Sequence, residues 1–225
     1  MMLTGIDLSH HNKNMKDPFC ICKYDFVILK ASEGMGFRDN YMRTYIKILK
    51  EGKRTPLLGF YHFARPEINN DPYCEARNFI EAVRPFMDMM PLLALDVEGR
   101  SLTEPFIDVW ARTFCEYVIK ELKIKPMLYT SASALKLFPL CEAFGCGLWV
   151  AKWSDKISKK DVKPWDFWAI WQNSSSYILS GVRVDTDVFN GTREQFLKYA
   201  EVLSDGKEND TASNDSGHRR TDKEK

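Results

Sequence analysis

The chain has 225 residues, 44% of them hydrophobic and 28% charged, which suits a single globular domain with a sizeable core. A formal net charge of +1 gives no electrostatic case for nucleic acid or an anionic membrane as partner. No apolar run approaches the roughly 20 residues that span a bilayer, so no membrane association is expected.

In chain order, Met1-Met2-Leu3-Thr4-Gly5 lacks the basic and apolar regions of a signal peptide. Release by cell lysis, or trimming of a longer precursor, is therefore the expected way out of a cell. Residues 3–9 and 25–31 are short apolar runs with strand-like length and composition. Residues 40–51 have helical spacing and stop at Gly52, a C-cap. A strand is predicted at 57–64, a long amphipathic helix at 72–89, a strand at 92–98 and a second long helix at 104–122. A strand at 126–131 leads into a short helix at 131–138. Strands at 147–153, 167–173 and 182–189 follow, with little helical pattern between them. A last helix at 192–203 opens on Thr192 ahead of Glu194 and Gln195, close to a capping box.

Strands alternating with helices imply a mostly parallel sheet. Eight of them over about 190 residues predict a closed β/α barrel with some helices missing. An open doubly wound sheet is the alternative, and no glycine-rich phosphate turn supports it. The barrel is assigned to 1–203. Residues 204–225 carry no large apolar side chain and are expected to be a disordered polar tail. The six cysteines form no Cys-x-x-Cys, so structural zinc is disfavoured. Cys115 and Cys141 sit in apolar patterns and are expected to be reduced, buried thiols.

Barrel active sites lie where strands end. The sharpest such end is Leu95-Asp96-Val97-Glu98. Strand residues two apart share a face, roughly 7 Å apart, so Asp96 and Glu98 project together. Each raises the cost of ionising the other, which holds one proton available for general acid catalysis. A solvated strand end would look the same in sequence. Asp7 and Asp185, on the first and last strands, become neighbours once the barrel closes. Asp187 shares a face with Asp185, and sequence does not say which of the two reaches the site. Tyr61, Tyr129, Trp149 and Trp171 stand near strand ends as candidate sugar-stacking rings, with Lys30 and Gln172 as polar contacts. His10-His11 is a poor metal site, since adjacent residues seldom bind one ion, and no metal or cofactor is expected. His62 reads as a hydrogen-bonded residue inside the barrel. A serine hydrolase is disfavoured because Gly-x-Ser-x-Gly is absent.

In order and spacing, the chain resembles glycoside hydrolase family 25, the Chalaropsis-type lysozymes, over residues 5–191. The segments that carry the resemblance include Gly5-Ile6-Asp7-Leu8-Ser9-His10-His11, Gly59-Phe60-Tyr61-His62-Phe63, Leu95-Asp96-Val97-Glu98, Leu148-Trp149-Val150-Ala151 and Val184-Asp185-Thr186-Asp187-Val188-Phe189. The resemblance implies a flattened, TIM-like α/β barrel with eight strands and fewer than eight helices. It also implies hydrolysis, with retention, of the β-1,4 bond between N-acetylmuramic acid and N-acetylglucosamine in bacterial peptidoglycan, by a monomer acting on the cell wall. Glu98 would be the proton donor and Asp96 would orient the substrate acetamido group. Asp7 and Asp185 would complete the acidic cluster. A catalytically silent glycan-binding barrel and a chitinase-like glycosidase are the competing expectations.

Overall fold

The computed structural model describes residues 2–203, so the expected polar tail at 204–225 lies outside the described residues. Strand β1 (Leu3–Leu8) pairs in parallel with β2 (Phe26–Glu33), and this pairing closes the sheet. From β1 the circuit runs to β9 (Val182–Phe189), β8 (Ile170–Leu179), β7 (Leu148–Ala151) and β6 (Met127–Ser131). It then passes through β5 (Leu92–Asp96) and β4 (Leu57–Phe63) back to β2. A two-residue strand β3 (Phe37–Arg38) folds back on β2 outside this ring. Among the described residues the α-helices are α1 (Met42–Glu51), α2 (Pro72–Val83), α3 (Ile107–Leu122), α4 (Pro139–Ala143) and α5 (Arg193–Lys198). The barrel thus has eight strands and fewer helices than strands, as the sequence predicts.

Several boundaries differ for local reasons. The helix expected over 72–89 ends at Val83, because Pro85 cannot donate to the helical ladder and residues 84–89 tighten to a 3-10 turn. Only Leu135–Leu137 of 131–138 is helical, as 3-10, and α4 begins later with Pro139 at its first position. The run 167–173 becomes a strand from Ile170 that continues to Leu179 and turns back through Ser180-Gly181, both at positive φ, into β9. Consequently β9 runs antiparallel to both its neighbours, the one strand of the closed ring to do so.

Period-two alternation sorts side chains into two layers. Ile6, Leu8, Val27, Leu29, Leu93 and Leu95 pack outward under the helices. Phe26, Ile28, Leu92, Ala94, Met127, Ile170 and Phe189 fill the barrel interior. Phe196 of α5 closes the lower mouth, its ring 5.3 Å from Phe26 and 5.2 Å from Phe189. His62 is buried and hydrogen-bonded, but it lies in the outer layer rather than inside the barrel. Its neighbours are Phe79 of α2 and Phe114 of α3. The alternation requires this, because Tyr61 faces inward. All six cysteines are free, with Cys115 and Cys141 fully buried.

Gly5 reports how tightly the interior is packed. A Cβ there would stand 2.3 Å from the Phe26 ring, which is itself held by Phe196. Gly5→Ala is expected to lower unfolding free energy by about 1–3 kcal/mol through overpacking. Urea denaturation at unchanged m-value checks it; a midpoint equal to the parent would show that the ring has room to move.

Candidate active site

At the upper mouth the inward-facing positions change from apolar to polar. Asp7 of β1, Lys30 of β2, Tyr61 of β4, Asp96 of β5, Tyr129 of β6, Trp149 of β7 and Gln172 of β8 line one cleft of about 600 Å³. Asp185 and Glu98 line it too. Glu98 lies two residues past the end of β5, partly exposed, while Asp96 is 6% exposed. Both faces of the Asp96–Glu98 segment follow from the strand pleat: Val97 between them is fully buried in the outer layer.

The antiparallel course of β9 settles what sequence left open about Asp185 and Asp187. Register pairs Asp185 with Asp7 at the mouth, and Asp187 with Gly5 one step deeper. Asp187 is 2% exposed, accepts 2.8 Å from Trp149 Nε1 and lies below the cleft lining. Its other neighbour is Asp7, and its Oδ2 is buried without a hydrogen-bond partner among the described residues. Burial raises Asp187 to about 8, and burial with the adjacent Asp187 and Asp185 charges raises Asp7 well above the usual range.

Gln172 ties these groups together. Its Nε2 donates to Asp7 Oδ2 at 2.9 Å and to Asp185 Oδ2 at 3.4 Å. Its Oε1 accepts from Tyr129 Oη and from Trp153 Nε1, each at 3.0 Å. Desolvation pushes Asp185 up to about 6. Glu98 is raised by desolvation and then by Asp185, against the opposing effect of Lys30. Asp96 is raised well above its ordinary value by burial and by Glu98. Its Oδ1 is buried without a hydrogen-bond partner among the described residues.

Opposite Gln172 the cleft is bounded by ion pairs. Lys30 Nζ donates to Glu33 at 2.6 Å and sits 4.6 Å over the Phe63 ring. Arg65 joins Glu33 to Glu67, and Ser101 Oγ donates to Glu67 at 3.0 Å. Arg65 and Glu67 belong to the loop after β4 and were not marked by sequence reasoning, since neither sits in an apolar run. Trp153, just past β7, was likewise passed over as a site residue.

One predicted contact is corrected. Trp171 does not line the cleft. It alternates with the inward-facing Ile170 and Gln172, packs on the outer layer, and donates from Nε1 to Lys152 O at 2.7 Å. Tyr61, Tyr129 and Trp149 do reach the cleft, but as its floor, exposed by only 9%, 6% and 2%. Among the described residues no group of His, Cys, Asp and Glu is arranged to hold a metal ion, and no helix is long and apolar enough to cross a membrane.

A β/α barrel with a carboxylate-rich cleft at the upper mouth, its acids raised by burial, has the construction of a glycoside hydrolase. The sequence signature described as Glycosyl hydrolases family 25 matches residues 6–182, and the chain belongs to that family. Among solved structures it is similar to a family GH25 lysozyme from Aspergillus fumigatus, with 28% identity and a TM-score of 0.75 over 89% of this chain and 99% of that one. A muramidase from Trichobolus zukalii is 25% identical with a TM-score of 0.70, covering 88% of this chain and 98% of the other. A bacterial lysozyme from Streptomyces coelicolor shares the fold at 24% identity and a TM-score of 0.69, over 89% and 97% of the two chains. No curated protein matches the chain.

Proposed function

We propose that the protein is a muramidase that hydrolyses the β-1,4 bond between N-acetylmuramic acid and N-acetylglucosamine in bacterial peptidoglycan. The observation that carries this reading is the pair at the end of β5: a raised, partly exposed Glu98 just past a buried Asp96 whose Oδ1 has no partner among the described residues. Glu98 protonates the glycosidic oxygen as the bond to the anomeric carbon breaks. Asp96 Oδ1 accepts from the N–H of the substrate's 2-acetamido group, which satisfies both. So held, the acetamido carbonyl oxygen is aimed at the anomeric carbon and displaces the leaving group with retention after water attack. The Asp96 charge stabilises the positive charge that the acetamido group acquires. Asp185 supplies negative charge near the developing oxocarbenium ion, and Asp7 beside it holds the Gln172 amide that orients them both. The substrate places the site of action at the bacterial cell wall.

The reading is tested by digesting purified cell wall, reducing the products with borohydride and measuring fragment masses. Muramitol-ended disaccharide peptides are expected. Glucosaminitol ends would replace the proposal with a glucosaminidase, preferential cleavage of chitin oligomers with a chitinase, and binding without new reducing ends with a silent lectin-like barrel.

A further inference from the structure

Trp153 exposes 64% of its surface while its indole N–H is pinned to Gln172, which lines the cleft. Resting on the reading of the cleft as a glycan site, we propose that the face of Trp153 is a sugar-stacking platform. It extends the cleft by one N-acetylhexosamine subsite beyond the acidic cluster.

An exposed tryptophan alone would carry little, but this one is built in. Its Nε1 donates 3.0 Å to Gln172 Oε1, an atom of a residue that is 2% exposed and also bonded to Asp7. The backbone leading to it is pinned to β8, Lys152 N donating to Gln172 O at 3.1 Å and Lys152 O accepting from Trp171 Nε1 at 2.7 Å. Trp171, misread as a ligand contact, thereby becomes a positioning residue for the platform. With the indole N–H satisfied by Gln172, the rest of the exposed ring is apolar, a surface that the C–H face of a β-linked pyranose can cover. The floor rings Tyr61, Tyr129 and Trp149 are too buried to offer such a face.

Location fits the same occupant. Around the ring, β7 and β2 are four steps apart by either route, through β8, β9 and β1 or through β6, β5 and β4. The loop after β7 therefore stands across the mouth from the ion pairs that join Lys30 and Glu33, at the end of β2, to Arg65, just past β4. A glycan strand lying over Asp96 and Glu98 from the charged end leaves the cleft at Trp153.

The test uses the Glu98→Gln protein, which keeps substrate intact, titrated calorimetrically with stem-free tetrasaccharide and octasaccharide of alternating N-acetylglucosamine and N-acetylmuramic acid. Adding Trp153→Ala is expected to weaken octasaccharide binding roughly tenfold and tetrasaccharide binding less. Trp153→Phe, which keeps a ring but has no N–H, recovers most of the loss. Phe167→Ala removes an equally exposed ring that precedes β8 at the lower mouth, and leaves both affinities unchanged. Equal losses for Trp153→Ala and Trp153→Phe would overturn the platform and assign Trp153 to holding Gln172. Unchanged affinity for both would overturn it outright. A Trp153 effect on binding together with wall digests free of muramitol ends would support the platform and reject the muramidase.

Discussion

Glu98→Gln is expected to lower kcat on cell-wall glycan about a thousandfold, with KM altered far less. The amide keeps the shape and the hydrogen-bonding reach of the acid but has no proton to give, so the loss falls on the transition state in which the leaving oxygen gains its proton. Retention of more than about a tenth of kcat would remove Glu98 as the acid, since general acid catalysis is worth at least about a hundredfold. The pH profile carries an independent sign. Burial and the Asp185 charge raise Glu98, so its proton is present below that raised value and is lost as pH rises through it. Activity should accordingly fall on an alkaline limb lying above the ordinary carboxylate range. Asp185→Asn removes the like charge that opposes ionisation of Glu98, so the alkaline limb should move to lower pH. A limb that moves up, or stays, would mean that a different group sets it.

The barrel was legible because its signals are local. Short apolar runs end in turn residues, Gly52 closes α1, and Thr192 with Gln195 forms the capping box that opens α5. Legible too were Asp96 and Glu98, because a two-residue spacing on a strand fixes their common side without knowledge of anything else in the chain. What sequence could not supply were facts that depend on strand direction and pairing. The late hairpin reverses β9, so Asp185 is level with Asp7 while Asp187 sinks beneath the cleft. The same pleat that directs Gln172 into the mouth turns Trp171 out of it. Arg65, Glu67 and Trp153 sit on loops, where neither period nor propensity says which way a side chain faces.

Glu75→Ala is expected to lower unfolding free energy by about 3–5 kcal/mol, the sum of two stranded donors and a cavity. Ser32, His62 and Glu75 line up as Ser–His–Glu, with Ser32 Oγ 2.8 Å from His62 Nδ1 and His62 Nε2 2.8 Å from Glu75 Oε2. All three are wholly buried between the barrel and α2, so no substrate carbonyl reaches Ser32, and the row is structural. Burial lowers the His62 pKa despite the Glu75 carboxylate, which leaves a neutral ring. That ring donates from Nε2 to Glu75 and accepts at Nδ1 from the Ser32 hydroxyl. Glu75 also accepts the backbone N–H of Arg65, at 3.2 and 3.1 Å to its two oxygens. One carboxylate therefore fastens α2 to β4 and to the start of the loop that carries Arg65 to the cleft. Alanine would strand the imidazole N–H and the Arg65 N–H without acceptors and leave a void beside Phe79 and Phe114. Glu75→Gln, whose amide oxygen can serve one of those donors, should cost distinctly less. Urea denaturation of the three proteins decides it: alanine and glutamine variants of equal stability would mean that the filled volume, and not the acceptor, holds α2 in place.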